Sequence, residues 1–235
     1  MDGTLPGICW IAGSSPAMTV QAERLGATRP FQPRTEHSSW RPATGLGRFA
    51  LSTRAKIVLL NGVGSAGKSS IAKALQAITV EPFLHVEMDA FLDMLPESSI
   101  GHPDGLVFET VEEDGKPSVV IRTGPVAARA FRGMRHAVAA MAAQGNNLIV
   151  DDVLLGSEKA EYADLLSGFA LFRVGVFAPL DVLEARERQR GDRMRGLARW
   201  QYGRVHKDMT YDLEVDTSSA DPMQCAALIK ETFGL

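Results

Sequence analysis

The sequence predicts an α/β fold in which a five-stranded parallel sheet is flanked by helices. From Lys56 onward, short apolar runs alternate with longer segments of helical spacing, an order that is typical of β-α-β units. The apolar runs are nearly continuous, as expected for strands that are buried on both faces. The chain has 235 residues, which is long enough for one domain with a substantial core and an appendage.

Each predicted element is bounded by residues that favour its start or its end. Five short apolar segments are predicted to be strands: Ile57–Asn61, Phe83–Met88, Leu148–Val150, Leu171–Phe177 and Leu213–Val215. Seven segments are predicted to be helices: Ser69–Ala77, 90–95, Pro125–Ala143, Glu158–Leu166, Leu180–Gln189, Leu197–Lys207 and Pro222–Phe233. Pro125 suits a first helical turn, and Gly145 ends that helix. Residues 96–124 are interpreted as an insertion, for which a hairpin is one arrangement.

Residues 1–55 differ from the rest and are predicted to be a disordered leader, with the folded domain at 56–235. They are rich in Gly, Pro, Ser, Thr and Arg and have no sustained period, so they cannot bury enough apolar surface to offset their ordering entropy. A transit peptide is one alternative. A misplaced start codon is another, and we favour it because 10-WIAGSSPAMT-19 resembles translated repeat sequence that precedes unrelated bacterial proteins.

Charge and composition argue against several classes of function. The net charge is −3, with six bases and three acids in residues 1–55 and 19 bases and 25 acids, or −6, in residues 56–235. A domain with that charge is a poor candidate for binding nucleic acid. No apolar run approaches the length of a membrane span, and two distant cysteines, Cys9 and Cys225, fit a reducing compartment. We therefore expect a cytoplasmic protein without nucleic-acid or membrane partners.

The segment 62-GVGSAGKS-69 fits the pattern G-x-x-x-x-G-K-[ST] and lies between an apolar strand and an amphipathic helix. In this pattern, glycines let backbone N–H groups converge on phosphate oxygens, the lysine reaches the β- and γ-phosphates, and the serine hydroxyl binds magnesium. A simple glycine turn is the alternative, but the flanking elements favour a phosphate-binding loop. The residues predicted to bind the nucleotide are Gly62, Val63, Gly64, Ser65, Ala66, Gly67, Lys68, Ser69 and Ser70.

Carboxylates follow two of the predicted strands, at the sheet edge where ligands of parallel sheets bind. Asp151 ends 147-NLIVDD-152 and is the first choice for holding Mg²⁺ with Ser69, usually through water. Asp152 could orient the substrate. Asp89 lies just past the second strand, where a carboxylate can take a proton from an acceptor hydroxyl. For each, helix capping or an acidic turn is the alternative, and Asp89 would then cap the helix 90–95.

Six arginines lie in 186-RERQRGDRMRGLAR-199, after the fourth predicted strand and its helix. In small P-loop kinases this position is the lid, whose arginines close over the transferring phosphoryl group and exclude water. The break at Gly191 favours a mobile turn, so Arg190 and Arg193 are the better lid candidates.

Two further arginines and one histidine are predicted to have structural roles rather than functional ones. We expect Arg188 and Arg199 to lie on a solvated helix face with ion pairs to Glu184 and Glu187. His85, on an apolar strand, is predicted to be a packed core residue rather than a ligand.

Taken together, these motifs resemble the chloramphenicol phosphotransferase family of small P-loop kinases over about Lys56–Phe233. The resemblance is carried by 58-VLLNGVGSAGKSSI-71, 88-MDAFLDMLP-96, 148-LIVDDVLLG-156, 186-RERQRGDR-193 and 206-HKDMTYDLEVDT-217. It implies a P-loop kinase fold and ATP-dependent phosphorylation of a hydroxyl on a small amphiphilic molecule. A chloramphenicol-type antibiotic is the leading candidate for the acceptor.

The resemblance also implies roles for individual residues. Asp89 matches the proposed catalytic base of the family, and Arg186, Arg190 and Arg193 match its lid arginines, with Arg186 next to the nucleotide. The family's nucleotide loop is matched by Gly62, Gly67, Lys68 and Ser69. The acidic stretch 109-ETVEEDG-115 departs from the family pattern within the insertion, where such kinases build the acceptor pocket.

The function predicted from the sequence is that of an ATP- and Mg²⁺-dependent O-phosphotransferase with a small-molecule hydroxyl acceptor. Lys68 holds the phosphates, Ser69 and Asp151 organise Mg²⁺, Asp89 activates the hydroxyl, and the lid arginines stabilise the transferring group. A metabolic kinase of the shikimate or adenylylsulfate type is one alternative. A nucleotide-dependent switch without phosphotransfer is another, and the sequence predicts no oligomeric state.

Overall fold

A computed structural model describes residues 54–113, 115–190 and 194–235 of the chain. The prediction of a leader falls almost wholly on residues 1–53, which lie outside the described residues, as does Arg193. Among the described helices, none combines the length and the apolar character needed to cross a bilayer.

The predicted five-stranded parallel sheet is confirmed in the described part of the chain. Its strands, numbered in chain order together with a separate hairpin, are β1 (Lys56–Asn61), β2 (Phe83–Glu87), β5 (Asn147–Asp152), β6 (Ala170–Phe177) and β7 (Leu213–Asp216). They lie in the spatial order β2-β5-β1-β6-β7, and every neighbouring pair is parallel. The carboxyl ends of all five strands therefore meet at one edge of the sheet.

The central strand β1 is buried on both faces because helices cover both sides of the sheet. The helices are α1 (Lys68–Ile78), α2 (Met88–Leu92), α3 (Pro125–Ala143), α4 (Glu158–Leu165), α5 (Leu180–Gln189), α6 (Leu197–Tyr202) and α7 (Pro222–Phe233). Val58 and Leu60 belong to a core shared with α1 and α7, whereas Ile57 and Leu59 belong to a core shared with α3 and α4. This burial explains why the strand reads as a continuous apolar run rather than as an alternation.

Two of the predicted helices differ by more than one residue at one or both ends from the helices of the structure. The helix predicted at 90–95 begins earlier, at Met88, directly after β2. The helix predicted at Leu197–Lys207 ends at Tyr202, because Gly203 follows as its C-cap and glycine is a poor helix former.

The insertion contains an antiparallel hairpin of β3 (Leu106–Glu113) and β4 (Lys116–Thr123). A backbone hydrogen bond from Val119 N to Gly196 O, 3.1 Å long, joins the hairpin to the start of α6. Gly196 has a φ of 96°, and a Cβ atom there would lie 2.6 Å from the Pro117 carbonyl oxygen. Only glycine therefore fits where the hairpin meets α6.

The start of α6 is held by the carboxylate of Glu187, which lies on α5 and is 4% exposed. Its two oxygens accept hydrogen bonds from the backbone N–H groups of Gly196 and Ala198, each 2.8 Å long. The prediction that Glu187 pairs with an arginine on a solvated helix face is therefore wrong. The carboxylate acts instead as a remote cap for another helix, because the first N–H groups of a helix lack partners within it.

We expect replacement of Glu187 to destabilise the domain in proportion to the acceptors that are lost. Glu187→Ala leaves two buried N–H groups unpaired, at a cost of about 1–3 kcal/mol for each, and Glu187→Gln leaves one acceptor oxygen and has a smaller effect. Chemical denaturation measures both free energies of unfolding. Gln189→Ala, at an exposed position of the same helix, is the control, and equal stability of all three variants would contradict this role.

Candidate active site

The phosphate-binding loop follows β1 and leads directly into α1. Gly67, the N-cap of α1, has a φ of 95°, and Ser65 has a φ of 66°. At Gly62, a Cβ atom would lie 2.4 Å from the carbonyl oxygen of Val176 on β6. Only glycine therefore fits at this position of the loop. Gly67 provides no side-chain cap, and the first N–H groups of α1 are thus available to an anion.

Lys68 lies against the loop from which it starts and is 7% exposed. Its ammonium group donates to the carbonyl oxygens of Gly62 and Val63, at 2.9 and 3.2 Å, and lies 3.6 Å from Oδ1 of Asp151. A positive charge is therefore held between the loop and the end of β5.

Ser69 and Asp151 are brought together as the sequence predicts. The Ser69 hydroxyl donates to Oδ2 of Asp151 over 2.5 Å, because the parallel register of β1 and β5 places Asp151 beside Leu60, next to the loop. Hydroxyl and carboxylate oxygens are the ligands that Mg²⁺ prefers. This pair fits a Mg²⁺ site, with Ser69 and Asp151 as the residues that would hold the ion.

Residues that the sequence reasoning missed brace the loop from outside. The side chain of Gln201, which is 4% exposed, accepts from Gly64 N at 2.7 Å. The Thr217 hydroxyl lies 2.9 Å from the Ala66 carbonyl oxygen, to which it donates. Thr217 follows β7 directly, so the rule that polar residues at strand ends form the site would have found it. No comparable sequence signal marks Gln201.

Arg186 is fixed beside the loop by the same threonine. Its guanidinium group donates to the hydroxyl and to the carbonyl oxygen of Thr217, at 2.9 and 2.7 Å. Two anchored hydrogen bonds hold the planar group in one orientation. This position is compatible with the predicted place of Arg186 next to a nucleotide.

The other arginines of the predicted lid have different environments. Arg190 is exposed and caps the end of α5, and the placement of Arg193 lies outside the described residues. Arg188 is exposed as expected. Arg199 pairs with Glu184 as predicted, but both side chains are largely buried, at 14% and 20% exposure, rather than solvated.

Asp89 lies in the first turn of α2, just past the carboxyl end of β2. The alternative interpretation, in which Asp89 is an N-cap of the helix 90–95, is wrong because the N-cap of α2 is Glu87. Asp89 is partly exposed and thus accessible to a molecule at the same sheet edge as the loop.

Asp152 points to the opposite face of the sheet from Asp151. Asp152 is 5% exposed. Its carboxylate accepts hydrogen bonds from the Tyr162 hydroxyl, at 2.9 Å, and from Val153 N, at 2.7 Å. Burial raises the pKa of Asp152 to about 6, and the same burial, with the adjacent carboxylate, raises the pKa of Tyr162. These contacts give Asp152 a structural role, and they do not place it beside the loop.

A hydrogen-bond chain that the sequence reasoning missed fixes the state of His206. Asn61 Oδ1 accepts from Leu154 N, so its Nδ2 is the group that donates to Val205 O and to the Tyr211 hydroxyl oxygen. The Tyr211 oxygen accepts from Asn61 and lies 2.7 Å from His206 Nδ1, so its own hydrogen can be donated to that nitrogen. On this basis we assign the proton of the neutral ring to Nε2.

The surroundings of His206 keep its ring uncharged. Burial lowers the pKa of His206 to about 4, with further contributions from the positive charges of Lys68 and Lys159. The ring stacks on Phe177 with centroids 3.9 Å apart. His206 thus presents a neutral N–H donor within electrostatic reach of Lys68.

His85 is packed as predicted, with a side chain that is 9% exposed. Burial lowers its pKa despite the nearby carboxylates of Glu87 and Asp151.

The fold and this arrangement define a P-loop kinase that acts on a small molecule. Residues 55–234 match the model of the family described as chloramphenicol phosphotransferase-like protein, and the chain belongs to that family. A relative from Mycobacterium tuberculosis (strain H37Rv), whose name describes it provisionally as an O-phosphotransferase, is 30% identical over 194 residues, which cover 80% of this chain and 86% of the relative.

Two solved structures show the same fold. The Mycobacterium tuberculosis APS kinase CysC, in complex with AMPPNP and APS, aligns with a TM-score of 0.55 and 17% identity over 77% of this chain and 99% of that one. A sugar kinase from Janibacter sp. HTCC2649 aligns with a TM-score of 0.54 and 18% identity over 77% and 95% of the two chains. At this identity the likeness shows the fold alone, and the class of activity comes from the family.

We expect His206 to remain neutral down to about pH 4, with its proton on Nε2. Nitrogen-detected NMR of the imidazole rings measures both properties, and His206→Asn assigns the signal. Because the folded pKa lies below the unfolded value of 6.5, the unfolded chain binds a proton that the folded one does not. The contribution of His206 to stability therefore decreases as the pH falls from 6.5 towards 4.

The variant Tyr211→Phe tests the series of hydrogen bonds from Asn61 to His206, because it removes the hydroxyl group that donates to His206 Nδ1. We expect the pKa of His206 to rise in this variant and the Nε2-protonated tautomer to lose its preference. A wild-type ring that titrates near 6.5, or that carries its proton on Nδ1, would contradict the assignment.

Proposed function

We propose that the protein transfers the γ-phosphoryl group of ATP, with Mg²⁺, to a hydroxyl of a small amphiphilic molecule, a chloramphenicol-type antibiotic being the first candidate. The observation that carries the proposal is the convergence of Lys68, Ser69 and Asp151 at 2.5–3.6 Å. Asp89 follows β2 at the same sheet edge. Asp151, on the side of the phosphoryl donor ATP, and Asp89, on the side of the acceptor, are thereby assigned to the ends of the neighbouring strands β5 and β2.

In this proposal the loop binds the phosphates and Lys68 exchanges its contacts with the Gly62 and Val63 carbonyl oxygens for phosphate oxygens. Ser69 and Asp151 would hold Mg²⁺, which would offset charge that develops on the phosphates. Arg186, held by Thr217, lies against the nucleotide, while Arg190 and Arg193 stabilise the transferring group.

Asp89 is the proposed base for the acceptor. The acceptor oxygen forms a bond to the γ-phosphorus, the bond from that phosphorus to the β,γ-bridging oxygen breaks, and ADP leaves. The carboxylate of Asp89 takes the hydroxyl proton. The hairpin at β3 and β4 is the proposed wall of the acceptor pocket.

The acceptor is tested by incubating the protein with ATP, Mg²⁺ and single candidates, and by mass spectrometry of the products. We expect a phosphorylated product from chloramphenicol or a related amphiphile, and none from shikimate or adenylylsulfate. Phosphorylation of either metabolite instead would favour the metabolic kinase. ATP hydrolysis that no acceptor stimulates would favour a nucleotide switch.

With the acceptor in hand, Asp89→Asn is expected to lower kcat by about 10²–10⁴-fold, the range for loss of a general base. The KM for ATP should change little, because the loop is untouched. Asp93→Asn, at the exposed end of the same helix, is the matched control. An Asp89→Asn enzyme with nearly unchanged kcat would exclude Asp89 as the base.

A further inference from the structure

Two carboxylates lie directly opposite each other at the edge of the sheet. Glu87 of β2 pairs in register with Asp151 of β5, so both side chains are on the same face. Like charges that face each other across strands repel. The ammonium group of Lys68, 3.6 Å from Asp151 Oδ1, offsets part of this repulsion, and a cation between the two carboxylates would offset more of it.

An imidazole lies on the same face as these carboxylates. His85 precedes Glu87 by two residues, and its Nδ1 is 3.4 Å from Glu87 Oε1 while its Nε2 is 3.9 Å from Asp151 Oδ2. One ligand atom from each of the three residues lies within 4.8 Å of the other two.

The ring of His85 has an unused nitrogen that faces this cluster. The side chain is 9% exposed, and its Nε2 is buried with no hydrogen-bond partner among the described residues. Buried polar atoms without a partner are rare and call for an explanation, such as a bound ion. Glu87 is 33% exposed, which leaves a path from solvent.

We propose that His85, Glu87 and Asp151 form a binding site for a transition-metal dication, such as Zn²⁺ or Co²⁺, that does not require nucleotide. Ligand atoms bound at about 2.0–2.2 Å lie about 3–4.4 Å from one another. The separation of 3.9 Å between His85 Nε2 and Asp151 Oδ2 falls in that range, and one ligand atom of Glu87 lies within 4.8 Å of a ligand atom of each of the other two residues. Imidazole nitrogen selects these metals over Mg²⁺, which prefers oxygen ligands and retains water.

Asp151 is shared between this site and the loop. Its Oδ2 accepts from Ser69, but a carboxylate has about four lone-pair positions and can serve a further partner. The site involves neither the acceptor nor Asp89. Failure of the metal site and failure of the phosphotransfer proposal are therefore distinguishable when binding is measured without nucleotide.

The test is a titration of the full-length protein, free of any histidine tag and nucleotide, with CoCl₂, followed by visible absorption and calorimetry. We expect one Co²⁺ with a spectrum that indicates nitrogen and oxygen ligands, displaced by Zn²⁺ but not by an equal concentration of Mg²⁺. His85→Asn and Glu87→Gln should each weaken binding at least tenfold, since even outer residues of metal sites contribute about 10–100-fold.

His136→Asn is the matched control, because His136 Nε2 lies 3.6 Å from Glu161 in an exposed imidazole–carboxylate pair elsewhere. It should bind Co²⁺ as the wild type does. If the His85→Asn variant does not fold, the Co²⁺ affinity of the Glu87→Gln variant, which is changed at a partly exposed position, tests the proposal by itself. Binding that survives Glu87→Gln, binding that Mg²⁺ displaces equally well, or no binding by the wild type overturns the proposal.

Discussion

The parallel register of β1 with β5 is the constraint on which the rest of the site depends. It places Leu60 beside Asp151 and Asn61 beside Asp152, so the phosphate loop begins level with the acidic end of the neighbouring strand. The short contact between Ser69 and Asp151 follows from this register. A shift by one residue would turn Asp151 to the opposite face, away from Ser69 and Lys68.

Successive residues at the end of β5 acquire different chemistry because the pleat sends them to opposite faces. Asp151 meets Ser69 and Lys68, whereas Asp152 meets Tyr162 in an apolar shell that raises its pKa to about 6. The environment, rather than the residue type, therefore separates a carboxylate suited to a cation from one that serves the fold. In β1, Asn61 has a similar structural role, since its amide orients both Leu154 and the Tyr211–His206 pair.

Local sequence signals predicted the elements and the loop, but not the contacts between distant segments. The five strands and the contact of Ser69 with Asp151 followed from apolar runs and from the rule for strand ends. Glu187 was predicted to be solvated because helix periodicity describes only its own helix, whereas its partners lie at the start of α6. Gln201 likewise reaches the loop through tertiary packing, which no local pattern encodes. The roles proposed for Asp89 and the lid arginines remain predictions.

The short helix α6 links the hairpin of the insertion to the phosphate loop. At its start, Gly196 is bonded to Glu187 of α5 and to Val119 of the hairpin. Further along, Gln201 holds Gly64 of the loop. The hairpin is thus tied to α6 through backbone atoms, which do not depend on the side chains of β3 and β4. Helix α6 therefore connects the hairpin, which is the proposed wall of the acceptor pocket, to the loop that is proposed to bind the nucleotide.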